Sequence, residues 1–180
     1  DVLKLMGGRA FRAPSIYELY YNDGGATQVA SDYMGNQLRP EIVWSAELEY
    51  THRFGDGWSL RGAVHTQYAK DFIETASTDP GDPNAPVYYR NGGSPVYTLG
   101  GDLEAKREFR AGWMVSAMYG YLLASYVDAS YGGGNRRVPN APRQFASFRG
   151  IAPLGPTGLR LAVRLTLEAP RRINVDTNAQ

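Results

Sequence analysis

The sequence predicts an all-β fold: an antiparallel up-and-down meander of seven strands, each long enough to cross a membrane. Three observations carry this. Apolar residues recur at every second position and rarely at helical spacing, the clearest alternating runs reach 10 to 15 residues, and short turns alternate with long connections.

The first strand runs from Val2 to Arg12. In the second, Trp44 to Phe54, the residues Trp44, Ala46, Leu48, Tyr50 and Phe54 share one face against Ser45, Glu47, Glu49, Thr51 and Arg53, with His52 the one break in the apolar side. The third, Trp58 to Phe72, sets Trp58, Leu60, Gly62, Val64, Tyr68 and Phe72 against Ser59, Arg61, His65, Gln67 and Asp71. The fourth, Val96 to Phe109, sets Tyr97, Leu99, Leu103, Ala105 and Phe109 against Thr98, Asp102, Glu104, Lys106 and Glu108, with Arg107 the exception near its end. Weaker patterns mark Trp113 to Val127 and Arg143 to Pro153. The last run, Leu159 to Glu168, is the cleanest, with five apolar residues at odd positions.

Phe54 to Gly57, Phe109 to Gly112 and Leu154 to Gly158 read as short turns, rich in residues that accept turn dihedrals. Ala13 to Pro40, Thr75 to Val87 and Asp128 to Pro142 read as long connections. Short turns at one end and long loops at the other are the asymmetry of an outer-membrane barrel.

Alternation alone does not say whether the apolar face meets a protein core or lipid. Length favours lipid, because soluble strands run about 5 or 6 residues and spanning ones need about 9 to 11. Trp44, Phe54, Trp58, Phe72, Tyr97, Phe109 and Trp113 fall near strand ends, where a barrel carries its aromatic girdles. The one stretch that could pass for a membrane helix, Ala111 to Val127, holds 17 uncharged residues interrupted by Gly112, Ser116, Gly120 and Ser125, short of the roughly 20 apolar residues a helix needs.

With 19 Lys+Arg against 18 Asp+Glu, and no basic run beyond Arg136-Arg137 and Arg171-Arg172, the chain lacks the electrostatic footprint of a nucleic-acid binder. It has no Cys, so a disulfide framework, a thiolate metal site and a Cys nucleophile are excluded. His52 and His65 lie on different strands without metal-ligand spacing, so neither a metal nor a cofactor is expected. No enzyme motif is present. Gly132-Gly133-Gly134-Asn135-Arg136-Arg137 lacks the Lys-Ser/Thr ending of a phosphate loop, and Thr78 to Asn84 lacks the oxygen spacing of a twelve-residue calcium loop. Glu47 and Glu49 share a face, which a hydrated lumenal wall explains.

Gly8-Arg9-Ala10-Phe11-Arg12-Ala13-Pro14-Ser15, continuing Ile16-Tyr17-Glu18-Leu19-Tyr20, resembles the late-barrel motif of TonB-dependent outer-membrane receptors. Gly35-Asn36-Gln37-Leu38-Arg39-Pro40-Glu41 is similar to that family's Asn-x-x-Leu-x-Pro-Glu stretch, where the chain leaves an extracellular loop and turns down. Asn91-Gly92 followed by Gly100-Gly101-Asp102-Leu103-Glu104-Ala105 resembles its Asn-x-Gly and Gly-x-Glu pair, and Val138-Pro139-Asn140-Ala141-Pro142-Arg143 its Pro-x-x-Pro-Arg strand start. The motif residues are thus Phe11, Arg12, Ala13, Pro14, Leu38, Pro40, Glu41 and Glu104. Two positions depart: Gly7 stands where the family often has an aromatic, and Asp102 where it usually has an apolar residue.

The resemblance implies a 22-strand transmembrane barrel around a plug, in the outer membrane of a two-membrane bacterium. Residues 1–180 are then expected to be a partial barrel domain, without plug, transducer-binding box, earlier strands or last strands; Asn178-Ala179-Gln180 does not end on the aromatic strand residue typical of such barrels. The implied activity is uptake of a scarce small nutrient, such as a ferric siderophore or similar chelate, driven by the TonB energy transducer. Ligand-binding candidates are Tyr17, Tyr20, Tyr21 and Tyr33 in the Ala13 to Pro40 loop, with Arg90, Arg136 and Arg137 on neighbouring loops, since aromatic platforms beside cations suit large flat anions. Some of these Tyr belong equally well to an outer girdle. The residues leave two other readings open: a soluble Tyr-rich β-sandwich that binds carbohydrate or acts as an adhesin, and a passive porin-like channel.

Overall fold

A computed structural model describes residues 1–35, 37–128, 136–155 and 158–171. Seven long strands form one antiparallel sheet: β1 (Val2–Arg12), β2 (Glu41–Arg53), β3 (Trp58–Lys70), β6 (Val96–Glu108), β7 (Met114–Tyr126), β8 (Gln144–Pro153) and β9 (Arg160–Glu168). Their order in the sheet is β1-β2-β3-β6-β7-β8-β9, so each pairs with the next spanning strand in the chain. A separate two-stranded hairpin, β4 (Ile73–Ser77) and β5 (Val87–Asn91), stands in the connection between β3 and β6. The connection between β1 and β2 holds a one-turn helix, α1 (Ile16–Tyr20), and a 3-10 turn, Ser31–Met34.

The register makes the two faces explicit, because directly paired residues point to the same side. One row reads Leu5, Leu48, Val64, Gly101, Tyr121 and Gln144, and the next row on that face, toward the turns, Leu3, Tyr50, Gly62, Leu103, Tyr119, Ala146 and Leu167. The opposite face carries Lys4, Glu49, Ala63, Asp102, Gly120, Phe145 and Glu168 in a single row. Asp102, unusual for the motif it sits in, falls on this polar face.

Among the described residues the buried apolar side chains are Val29, Ala63 and Tyr88, whereas Leu5, Val64, Leu103 and Val163 are more than half exposed. No second layer packs on either side of the sheet among the described elements. A soluble domain buries its apolar face against another layer; a barrel wall presents it to lipid. Strand length agrees: 13 residues in β2, β3, β6 and β7 extend about 43 Å, or about 33 Å along the bilayer normal at a tilt of about 40°. No described helix is long and apolar enough to cross a membrane.

The polar face is held by a ladder of charges. Arg61 reaches Glu49 at 3.2 Å, Asp102 at 3.0 Å and Glu104 at 3.3 Å, and Lys4 meets the other oxygen of Glu49 at 2.7 Å. Four strands are thereby cross-linked at mid-height, which accounts for Glu49, Asp102 and Glu104 as parts of a polar wall.

The girdles form at both ends. Trp44, Tyr68 and Tyr97 lie in one row at the loop end, with Arg9 and Lys70 each 5.7 Å from the Trp44 ring. At the turn end Arg107 stands 5.2 Å from Trp58 and 4.5 Å from Phe109, so the charge that breaks the apolar pattern of β6 lies at the membrane boundary. His52, the break in β2, sits by the same end, its ring edge-on to Phe54 at 4.1 Å and bonded to Asp1. The tight turn between β2 and β3 requires glycine: Gly57 has φ 76°, and a Cβ there would fall 2.1 Å from the Glu108 carbonyl oxygen.

Two expectations are corrected. The third strand stops at Lys70 and not at Phe72, because Asp71 turns left-handed with φ 58° and its carbonyl accepts from Asn91 Nδ2 at 2.7 Å. The Thr75 to Val87 connection is in part structured, since Ile73–Ser77 and Val87–Asn91 pair with each other. The Gly132 to Gly134 run and the C-terminal Asn178 to Gln180 lie outside the described residues.

Candidate functional site

The described parts of the β1–β2 and β3–β6 connections make one assembled cap at the end of β1, β2 and β3. Its base is a charge clamp. Arg12, the last residue of β1, donates from Nε and Nη2 to the two oxygens of Glu41, the first residue of β2, at 2.7 and 2.9 Å. Its Nη1 donates to Glu18 on α1 at 2.9 Å. Glu41 also accepts from the backbone N–H of Ile73 at 2.8 Å, which ties the start of β4 to the same point.

Helix α1 forms at that spot because Ser15-Ile16-Tyr17-Glu18 is a capping box. The Ser15 hydroxyl accepts from Glu18 N at 3.2 Å, and Glu18 accepts from Ser15 N at 2.7 Å. Partial burial pushes the Glu18 carboxyl upward, but the bonds from Ser15 and the Arg12 guanidinium outweigh it and hold the group below its usual value.

Past α1 the chain turns on Asp23, whose carboxylate accepts from the Thr27 hydroxyl at 2.5 Å, from Thr27 N at 3.0 Å and from Gln28 N at 3.1 Å. The Thr27 side-chain bond, then the backbone bonds, draw the Asp23 carboxyl down to about 2. Residues Thr27 to Val29 then pair alongside β5: Val29 N donates to Val87 O, and Val87 N to Thr27 O, both at 2.9 Å. Gln28, Val29, Ser31 and Tyr88 are buried beneath this addition.

On this frame Tyr17 stacks on Tyr21 with centroids 4.5 Å apart and meets the edge of Tyr89 at 6.2 Å. The Tyr17 hydroxyl donates to Gln28 Oε1 at 3.3 Å. Beside the frame Gln37, Arg39, Tyr88, Arg90 and Asn91 line a polar cleft of about 480 Å³. Asn91 fixes its floor, accepting from Arg39 N at 2.7 Å and donating to Arg39 O at 2.8 Å. Arg39 pairs with Asp71 at 2.7 Å and Arg90 with Glu74 at 3.2 Å. Among the described residues each guanidinium thus has one carboxylate partner and further N–H donors to offer.

The structure brings together Tyr17 and Tyr21, with Arg90 on the strand that carries Tyr89. Tyr20 and Tyr33 stand apart from the stack, 69% and 65% exposed. Arg136 and Arg137 belong to the β7–β8 connection, where Tyr126 N donates to Arg136 O at 2.6 Å and Arg137 bridges Ser125. Of the motif residues, Arg12 and Glu41 form the clamp, Ala13 and Pro14 link it to α1, and Leu38 and Pro40 lead into β2. Phe11 lies on the apolar face opposite Ile42, and Glu104 on the lumenal wall. Arg39, Tyr89 and Asn91 were not legible in the sequence as site residues; the aromatic-then-polar run Tyr88-Tyr89-Arg90-Asn91 is the one local signal near them.

The fold is similar to a solved structure titled "Copper transporter OprC", with a TM-score of 0.57 and 20% identity. That match covers 85% of this chain and 22% of the transporter, so the chain spans about a fifth of its length. No protein of curated function matches the sequence. The profile described as "TonB dependent receptor-like, beta-barrel" matches residues 3–179. By that match over nearly its whole length, the chain belongs to the TonB-dependent receptor β-barrel family and forms part of a barrel in the outer membrane of a two-membrane bacterium.

Proposed function

We propose that the complete receptor captures a scarce small-molecule nutrient at this outer cap and passes it inward with energy delivered by the TonB transducer. The family is one of receptors and not of enzymes. The transducer acts, in this reading, through a plug and box that belong to the complete protein and not to residues 1–180, inside a barrel of 22 strands. The observation that carries the reading is that one cap holds both the Tyr17, Tyr21 and Tyr89 ring cluster and a polar cleft bearing Arg39 and Arg90. Stacked rings offer a broad amphipathic surface, and guanidinium groups supply fixed donors to carboxylate or catecholate oxygens. A ferric siderophore or similar chelate, large, flat and anionic, fits both features.

Cells carrying or lacking the complete receptor, supplied with a labelled ferric chelate or with copper, test the assignment. Receptor-dependent accumulation of the ferric chelate that stops without the transducer is expected. Accumulation of copper instead would move the cargo to that of the OprC transporter, and accumulation without the transducer would make the protein a passive channel.

A further inference from the structure

The lipid-facing side of the sheet is not uniformly filled. Near its turn end a depression of about 510 Å³ opens among Trp58, Ala105, Ala117, Phe148, Gly150 and Val163. Register puts these residues on the outer face: Ala105 pairs with Ala117, Ala117 with Phe148, and Gly150 with both Val115 and Val163. The floor is made of the smallest side chains and the walls of large ones.

Gly150 marks the depression as something other than close packing. A Cβ placed there would meet nothing within 4 Å, whereas one at Gly57 or Gly120 would fall 2.1 Å from a neighbouring atom. Backbone crowding therefore does not require glycine at 150, and its positive-φ freedom is not used, since the strand is regular there. The missing side chain leaves the groove open toward the bilayer.

At the membrane-boundary end of the same face stands Arg107, paired in register with Trp58 and Val115. Its guanidinium lies over Trp58 and Phe109, and among the described residues it makes no ion pair; its Nε is buried without a hydrogen-bond partner. A half-buried cation on a lipid-facing surface is unfavourable unless an anion meets it. The neighbouring carboxylates Asp102, Glu104 and Glu108 belong to the opposite face and are engaged there by Arg61 or Lys106.

We infer that this groove binds one anionic phospholipid of the periplasmic leaflet, its acyl chain lying over Ala105, Ala117 and Gly150 and its phosphate on Arg107. The charge complementarity selects the headgroup, and the position at the turn end selects the leaflet, because short turns of such barrels face the periplasm. Trp58 and Phe109 hold the guanidinium at headgroup depth, which a free arginine side chain would not maintain.

The complete receptor, reconstituted in nanodiscs of mixed phosphatidylcholine and phosphatidylglycerol and released into mild detergent, tests this by native mass spectrometry of the lipid that stays bound. The wild-type protein is expected to retain phosphatidylglycerol in preference to phosphatidylcholine. Arg107→Gln should reduce that preference about fivefold, and Gly150→Leu, which fills the groove without touching the charge, should lower retention of both lipids. The two changes lie two strands apart in one register row and folding is checked separately by heat-modified gel mobility, so failure of one variant to fold leaves the other decisive. Equal retention of the two lipids by wild type, or unchanged retention in a folded variant, would overturn the proposal.

Discussion

Arg12 and Glu41, 29 positions apart in the chain, close the longest outer loop at its base with two parallel hydrogen bonds of 2.7 and 2.9 Å. They are also paired residues, the last of β1 and the first of β2, so the clamp sits where backbone pairing ends. The third arm to Glu18 extends the same guanidinium into the loop and orients α1, from which Tyr17 reaches its stack. One side chain at the barrel rim thus ties together the base of the loop and its helix.

Replacing Arg12 with Ala should loosen residues 13 to 35 while leaving the sheet intact. Arg12 is about half exposed, so solvent screening reduces the effect to about 1 kcal/mol, or roughly fivefold faster opening. Hydrogen exchange on the complete receptor should show the change at Glu18 and Leu19 and not at Leu48 or Val64. Uniform loosening would mean that the clamp holds the barrel and not the loop.

Leu103 lies at the middle of β6 on the lipid side, between Gly62 and Tyr119. Leu103→Arg should destabilise the folded barrel by about 2 to 4 kcal/mol, because the charge enters hydrocarbon near the midplane. Arg164→Ser, on the polar face of β9, should change stability by less than about 1 kcal/mol. Denaturant titration in lipid vesicles ranks the two, and the reverse order would invert the face assignment.

Acid should open the turn at Asp23. Its folded-state carboxyl titrates near 2, below the unfolded value of about 4. A depressed value contributes stability that is fully present above the unfolded value and is lost as pH falls toward the folded one, so the turn weakens between about pH 4 and pH 2. Protection of the Thr27 and Gln28 amides, taken relative to their intrinsic exchange rates, should fall in that window, and Asp23→Asn should remove the pH dependence. A wild-type profile flat across the window would contradict the hydrogen-bonded carboxylate.

Removing both Tyr20 and Tyr21 should weaken nutrient binding by about 1 to 3 kcal/mol if Tyr21 anchors the ligand through its stack on Tyr17. Glu47→Gln, on the lumenal face and opposite His65, should leave surface binding nearly intact. Equilibrium titration of whole cells distinguishes them: full affinity after loss of the two Tyr, or lost affinity after the Glu change, would move recognition from the loops to the lumen.

Residues such as Leu161, Val163 and Leu165 revealed their strand and its faces directly, since a period of two has only one geometric meaning. Arg107 and His52 looked like errors in the pattern and are boundary residues, which the period cannot express. The hairpin of β4 and β5 went unread because each strand has only five residues and Pro80, Pro83 and Pro86 crowd between them. At the cap, the wealth of Tyr was visible while Arg39 and Asn91 were not, because their meeting depends on residues 52 positions apart.

Sequence by itself determined the spanning strands, the alternation of apolar and polar residues along each, the short turns and the family, because each is written in local spacing or in contiguous motifs. Tertiary structure alone decided that Arg12 clamps Glu41 and Glu18, that Arg61 gathers Glu49, Asp102 and Glu104 from neighbouring strands, and that Tyr17, Tyr21 and Tyr89 form one surface. The physical reason is that these contacts join side chains whose separation is set by strand register and loop closure, and a one-residue slip in either would leave the local pattern plausible while scattering every one of them.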